Sequence, residues 1–228
     1  MRAIVISDAH GNPMYINNAL EHSLYNPAVD RLVFAGDVLD IGTDPQGCLD
    51  LLEEAGAEML WGNHEQAILY GERISPQDMH SFSFVDLFKS KVRGPDRWCV
   101  MAEHEGILIS HAGVSQVYWK QLEGMSAAEV ATYFNDRFQH IDNADIADEF
   151  WDRDSPLWFR PGLLCPLKGF TQIVGHTPPS SLLPEFLSSK TYISVDPYVH
   201  NHVGAESERY LYAIIEDGAV SVYDSNNV

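Results

Sequence analysis

The feature of this 228-residue sequence that most constrains its fold is a series of short apolar runs, each followed by polar side chains. Short runs rich in β-branched residues predict buried strands. Because open α/β sheets bind ligands at the carboxyl ends of their strands, we expect the polar clusters to meet at one edge of a sheet. The clusters are Asp8-Ala9-His10, Gly36-Asp37-Val38-Leu39-Asp40, Gly62-Asn63-His64-Glu65, His111 and Gly175-His176.

The spacing of the apolar runs predicts the order of the elements. Strands are predicted at 3–6, 31–35, 58–61, 106–110, 171–174 and 191–195, and helices at 12–24 and 44–55. Two β-α units at the start of a chain predict an α/β fold with right-handed crossovers. Near the other end, two alternating runs around Asp217-Gly218 predict a β-hairpin.

We expect a single domain over residues 1–228, because no repeat or linker rich in Pro, Gly or Ser divides the chain. Segments around 75–94 and 115–151 have a helical, aromatic-rich composition and predict helical insertions that cover the sheet. Within the second segment, Ser126 is followed three residues later by Glu129, which is the pattern of a capping box at the start of a helix.

Charge and cysteine content narrow the range of partners. With 33 acidic and 14 basic residues the net charge is −19, which argues against bulk binding of nucleic acid. Three scattered cysteines fit neither a disulfide framework nor a zinc-thiolate cluster, so we expect a cytoplasmic location. The first apolar run is too short for a signal sequence or a membrane span, and we expect no membrane association.

Each polar cluster taken alone is compatible with an ordinary turn, because Asp, Asn and Gly are common there. A turn needs no histidine, however, and four of the ten histidines follow separate strands. Side chains two positions apart on extended backbone, as Asp8 and His10 are, point to the same side and can bind one metal ion. The clusters together therefore predict a metal site.

These motifs, in this order from residue 8 to 176, resemble those of the calcineurin-like metallophosphoesterase superfamily. With Trp158-Phe159-Arg160, the chain is similar to the bacterial and bacteriophage phosphoprotein phosphatases, which are related to symmetrical diadenosine tetraphosphate hydrolases. The resemblance implies an α/β/β/α sandwich of two mixed sheets with flanking helices. It also implies two metal ions at the carboxyl ends of the strands.

The resemblance assigns six residues to the two divalent metal ions. Carboxylate, imidazole and amide ligands favour Mn²⁺, with Fe or Zn also possible. Because two divalent ions outweigh two carboxylates, the pocket of this acidic protein would be positive and attract phosphate. The implied ligands are Asp8 and His10 for the first ion, Asp37 as the bridge, and Asn63, His111 and His176 for the second.

The resemblance also implies the chemistry. His64 would be the general acid that protonates the leaving group, with Asp40 orienting its ring. Arg160 and Asn63 would contact the substrate phosphate. The implied activity is hydrolysis of phosphomonoesters, in a phosphoprotein or a small phosphorylated metabolite, by direct attack of a hydroxide held between the metal ions.

The sequence departs from the family pattern at two positions. Ile41 and Trp61 stand where the phosphoprotein phosphatases have phosphate-binding arginines, which leaves Arg160 as the evident basic contact. Trp61 could face a base, although at a strand end it could equally belong to the core. A dinucleoside polyphosphate hydrolase or phosphodiesterase is therefore the alternative. An inactive scaffold would have lost ligands, whereas all six and His64 are present.

Overall fold

The computed structural model describes residues 1–74, 98–140, 144–162, 164–187, 189–197 and 210–225. These residues contain ten strands in two sheets. The strands are β1 (Ala3–Ile6), β2 (Arg31–Phe34), β3 (Glu58–Leu60), β4 (Trp98–Cys99), β5 (Met101–His104), β6 (Ile107–Ser110), β7 (Thr171–Val174), β8 (Tyr192–Ser194), β9 (Leu211–Glu216) and β10 (Ala219–Asp224).

Both sheets are mixed. The larger has the order β10-β9-β1-β2-β3-β4, in which β1 to β4 run parallel and β9 runs antiparallel to β1 and β10. The smaller has the order β5-β6-β7-β8, in which β6 to β8 run parallel and β5 runs antiparallel to β6. The predicted site residues other than Arg160 follow β1, β2, β3, β6 and β7, all of which belong to parallel pairs.

Seven α-helices lie between the strands. They are α1 (Pro13–His22), α2 (Pro45–Glu54), α3 (Asn63–Tyr70), α4 (Trp119–Leu122), α5 (Ala127–Phe138), α6 (Ala144–Trp151) and α7 (Pro184–Leu187) in the described ranges. Asn12 and Asp44 cap α1 and α2, each before a proline. Ser126 and Glu129 form the predicted capping box at the start of α5.

The side chains of β1 show how the layers are held together. Ala3 and Val5 pack between the two sheets, in a cluster with residues such as Ile109 of the smaller sheet. Ile4 and Ile6 point the other way and pack under the helices. Because neighbouring residues of a strand face opposite sides, a strand that is apolar throughout is covered on both. The result is the α/β/β/α sandwich that the resemblance predicts.

The predicted insertions are described only in part. The segment 75–94 lies outside the described residues, whereas α4, α5 and α6 lie within 115–151. The single domain stays a prediction. Within the described ranges, no helix combines the length and apolarity that crossing a bilayer requires.

Candidate metal centre and active site

The loops that follow the parallel strands carry the predicted site residues on unusual backbone. Asp8, His10, Asp37, Asp40 and His176 have φ angles of 53°, 46°, 59°, 78° and 61°. Residues other than glycine rarely adopt positive φ angles. They keep such a backbone conformation only where the surrounding structure fixes it. Their concentration here marks these loops as a functional site.

Glycines let the loops approach one another closely. A Cβ atom at Gly62 would lie 2.1 Å from Oδ1 of Asp37, and one at Gly175 would lie 2.0 Å from Oδ2 of Asp8. Neither contact is possible for a real side chain. The glycine before Asn63 and the glycine before His176 are therefore required by the packing of the site itself.

Asp37 lies at the centre of the site. Its Oδ2 atom is 3.3 Å from Nε2 of His111, 3.7 Å from Nε2 of His10 and 3.8 Å from Nε2 of His64. Burial raises the pKa of this carboxyl, but the neighbouring histidines outweigh burial and hold it well below the usual range. Asp37 is thus an ionised carboxylate within reach of ring nitrogens on three loops.

His10 and Asp8 lie on one side of Asp37. Nε2 of His10 is 3.8 Å from Oδ1 of Asp8, and Nδ1 of His10 is 3.1 Å from the carbonyl oxygen of Leu39. Because a carbonyl only accepts, Nδ1 of His10 donates to it, and the neutral ring then has its lone pair on Nε2. This hydrogen bond favours the tautomer that a metal ligand requires.

Asp8 is almost completely buried and accepts hydrogen bonds from the Ser7 hydroxyl at 2.5 Å and the backbone N–H of His176 at 3.1 Å. Burial and the nearby charge of Asp196 raise its pKa. Buried carboxylates that repel one another are stabilised when a cation lies between them. This environment fits the predicted binding of a metal ion by Asp8.

His111 and Asn63 lie on the other side of Asp37. Nε2 of His111 is 2.8 Å from Oδ1 of Asn63, and Nδ1 is 2.9 Å from the carbonyl oxygen of Ala35. Burial lowers the pKa of His111, but the charge of Asp37 outweighs burial and raises it to about 9. An environment that stabilises the protonated ring also favours a cation at this position.

His176 completes this second group. Its ring is buried, and Nε2 has no hydrogen-bond partner among the described residues. Burial and the charge of His111 lower its pKa well below the ordinary value, so the ring is neutral. A buried, neutral ring nitrogen without a partner is costly, and coordination of a metal ion would satisfy it.

The donor atoms form two groups that share one carboxylate: His10, Asp37 and His64, and Asp37, His111 and His176, with all atoms of each group within 4.8 Å of one another. Two atoms that bind one metal ion at about 2.1 Å lie about 3.0–3.4 Å apart. The separation of His111 from Asp37 falls in this range, and those of His10 and His64 from Asp37 are slightly longer. The residues present therefore fit divalent metal ions.

His64 differs from the other histidines in its partner. Nδ1 of His64 is 2.8 Å from Oδ2 of Asp40, and both side chains are buried. Burial lowers the pKa of His64, but Asp37 and Asp40 outweigh burial and raise it. The distance from His64 to Asp37 nearly equals that from His10 to Asp37, so geometry places His64 beside the donors as well as beside Asp40.

Glu65 is a residue of the site to which the sequence assigned no role. Its carboxylate accepts hydrogen bonds of 2.7–3.0 Å from the backbone N–H groups of Asp37, Val38, Leu39 and Gly62. Burial and the charge of Asp37 raise its pKa to about 7. Glu65 thereby joins the loop after β2 to the loop after β3. An acidic residue at the third position of a helix was the available signal.

Arg160 and Trp61, the remaining candidates, differ in their exposure to solvent. Arg160 is exposed, and its Nη1 donates to the carbonyl oxygen of His176 at 2.8 Å and contacts Oγ1 of Thr177 at 3.3 Å. Trp61 is buried, with its ring centroid 5.1 Å from that of Phe138. Arg160 therefore borders the second donor group, whereas Trp61 belongs to the core and not to a base-binding surface.

A buried group of metal donors beside a histidine–carboxylate pair is the kind of site that metal-dependent hydrolases use. The chain belongs to the calcineurin-like phosphoesterase family, whose model matches residues 1–215. Family membership, predicted from the motifs, is thereby confirmed.

Two curated relatives of this chain have the names of different phosphatases. It is similar to serine/threonine-protein phosphatase 1 of Salmonella typhimurium, with 40% identity over 65 residues that cover 28% of this chain and 30% of the relative. It is also similar to a symmetrical bis(5'-nucleosyl)-tetraphosphatase of Actinobacillus pleuropneumoniae, with 27% identity over 143 residues that cover 58% of this chain and 52% of the relative. The chain thus spans about half or less of the length of these relatives.

Solved structures share the fold. A cold-active protein-tyrosine phosphatase of a psychrophilic Shewanella species has a TM-score of 0.66 at 16% identity, covering 98% of this chain and 80% of that one. A putative diadenosine tetraphosphatase has a TM-score of 0.57 at 17% identity, covering 98% and 93%. The predicted fold class is confirmed.

Glu65→Gln should destabilise the protein, because the amide nitrogen replaces an oxygen that accepts two of the four backbone hydrogen bonds. Each buried donor left unsatisfied costs about 1–3 kcal/mol. Urea unfolding of the chelated, metal-free protein measures the loss in the free energy of unfolding. Glu54→Gln at the exposed end of α2 is the matched control and should unfold like the wild type. Equal unfolding midpoints for Glu65→Gln and wild type would contradict this role.

Proposed function

We propose that this protein is a metal-dependent hydrolase of phosphomonoesters that binds two divalent cations, Mn²⁺ being the metal we expect. The observation that carries this proposal is the arrangement of two buried donor groups around one shared carboxylate, next to a histidine–carboxylate pair. Its substrates would be phosphorylated proteins, nucleotides or metabolites.

The donor set divides between the two cations as the resemblance implies. When bound, two divalent cations would neutralise charge on the phosphoryl oxygens and activate the attacking water. Asp37 reaches both sides of the site, so its loss would affect both ions. The proposed ligands are Asp8, His10 and Asp37 for one ion and Asp37, Asn63, His111 and His176 for the other.

His64 would hold the proton that the leaving group needs. Its Nδ1 faces Asp40, so the proton available for transfer lies on Nε2. The carboxylate of Asp40 fixes the orientation of the ring and stabilises its protonated form. The raised pKa of His64 favours the protonated form of the ring.

Arg160 would bind the substrate phosphate. One nitrogen of its guanidinium contacts the loop after β7, and the side chain is otherwise exposed. Its outward N–H groups can form charge-assisted hydrogen bonds to an oxyanion. The amide of Asn63 lies on the same side of the site, beside His111, and would be a second contact.

Dinucleoside polyphosphate hydrolysis is the second candidate function. The longer of the two curated matches is to a symmetrical bis(5'-nucleosyl)-tetraphosphatase. Ile41 also leaves one position without the positive charge that helps to bind a phosphomonoester dianion.

A substrate panel with Mn²⁺ tests the choice between these functions. We expect p-nitrophenyl phosphate and a phosphopeptide to be hydrolysed with higher kcat/KM than bis-p-nitrophenyl phosphate or diadenosine tetraphosphate. A clear preference for diadenosine tetraphosphate would support the second candidate and contradict the first. Absence of turnover on all four would contradict both.

Asp37→Asn should abolish turnover and reduce metal binding at both positions, because the variant removes the charge that both donor groups share. Metal analysis and phosphatase assays on the same preparation measure the two effects. Asp50→Asn, an exposed change on α2, should keep both properties. A wild type that is fully active with one ion per chain would refute the dinuclear site.

His64→Asn should lower kcat by about 10²–10⁴ for an alkyl phosphate, the range typical of lost general acid catalysis. The loss should be smaller for p-nitrophenyl phosphate, whose leaving group hardly needs a proton. Metal content distinguishes the two roles that geometry allows. Two retained ions support the acid, whereas loss of an ion shows that His64 is a ligand.

A further inference from the structure

Gln66 has no part in the roles assigned above, although it directly follows Glu65 in the first turn of α3. The side chain is completely buried. Its Oε1 accepts a hydrogen bond from Nε1 of Trp158 at 2.7 Å, and its Nε2 has no partner among the residues that the structure describes. Packing alone would favour an apolar residue here, so the bond to Trp158 accounts for a glutamine at this position.

Trp158 begins a three-residue segment that contacts the loop after β7 in two ways. Its ring meets the ring of His176 edge-on, with centroids 6.3 Å apart. Two residues later, Arg160 donates to the carbonyl oxygen of His176. Phe159, between them, is buried and packs edge-on against Tyr192 of β8, which anchors the segment to the smaller sheet.

The hydrogen bond between Gln66 and Trp158 joins this segment to α3, whose first two residues are Asn63 and His64. Asn63 and His176 border the same donor group but come from different sheets. The two sheets must therefore keep a fixed relative position at this point if both side chains are to reach one cation. A residue that fixes the relative position of donors affects metal affinity without touching the metal.

We infer that Gln66 and Trp158 are positioning residues, which hold His176 and Arg160 in register with the helix that carries Asn63 and His64. The inference rests on the proposed function, because it assigns His176 to a cation and Arg160 to the phosphate. Neither Gln66 nor Trp158 takes part in the chemical step.

Gln66→Leu and Trp158→Phe each remove the bond while keeping an apolar or aromatic side chain of similar shape. Titration of Mn²⁺ into the chelated protein should show one of the two sites weakened by about 10- to 100-fold in each variant. The KM for p-nitrophenyl phosphate should rise several-fold, because Arg160 is displaced. The difference in rate between alkyl and aryl phosphates should stay as in the wild type, because His64 keeps its place.

The double variant separates positioning from general loss of packing. If the two residues act through their shared hydrogen bond, the double variant should be no weaker in Mn²⁺ affinity than the weaker single variant. Additive losses would overturn the inference. Gln46→Leu and Trp119→Phe, two changes away from the site, are the matched controls and should leave both Mn²⁺ affinities unchanged.

The bond itself can be observed in the metal-free protein. The indole N–H resonance that disappears in Trp158→Phe identifies Trp158 among the five tryptophans. Gln66→Leu should shift this resonance and speed its exchange with solvent, and an unchanged resonance would overturn the inference. If Gln66→Leu does not fold, Trp158→Phe removes the same bond from a half-buried position and its Mn²⁺ affinity and KM decide the question.

Failure of the inference and failure of the proposed function give different results. A wild type that binds fewer than two Mn²⁺ ions would contradict the proposed function. A wild type that binds two ions, with Gln66→Leu and Trp158→Phe binding both at wild-type affinity, would overturn the positioning role alone.

Discussion

The attraction between one buried carboxylate and three histidine rings is the interaction on which the site depends. Burial alone would raise the pKa of Asp37, yet His10, His64 and His111 surround it closely enough to hold the pKa well below its usual range. A buried charge of this kind is stable only when its partners are fixed. Because the three partners follow different strands, the sheets must bring the carboxyl ends of their parallel strands to one place before the carboxylate can be accommodated.

The loops carry a conformational cost that other contacts offset. Asp37 and Asp40 both adopt left-handed backbone, which non-glycine residues avoid. The carboxylate of Glu65 accepts hydrogen bonds from three backbone N–H groups of this loop and from the backbone N–H of Gly62. Without that acceptor, the donors would be buried and unpaired, and the loop would relax away from the candidate metal site. Glu65 contacts neither metal nor substrate in the proposed reaction. The site nevertheless depends on it as much as on the residues that make those contacts.

The strands and the candidate donors could be predicted because both are local: a short apolar run, then Asp, Asn or His. The helix α3 could not, because its first turn buries the polar residues 63–66 and has no apolar periodicity. The two-residue strand β4 is too short to show a pattern. The bond from Gln66 to Trp158 spans 92 positions. No local pattern predicts such a contact, so the partner of Gln66 can be identified only in the folded structure.

The burial of Trp61 bears on the phosphate contact that we propose. Trp61 stands where the resemblance leads one to expect an arginine, and its ring packs against Phe138 at the end of α5. A guanidinium in that place would lose its hydration against an aromatic ring, and burial of a charge is unfavourable. A cation for the phosphate would therefore come from another direction. Arg160, the phosphate contact that we propose, belongs to a segment that is tied to both sheets, so one set of contacts would position the proposed metal ligands and the proposed phosphate contact.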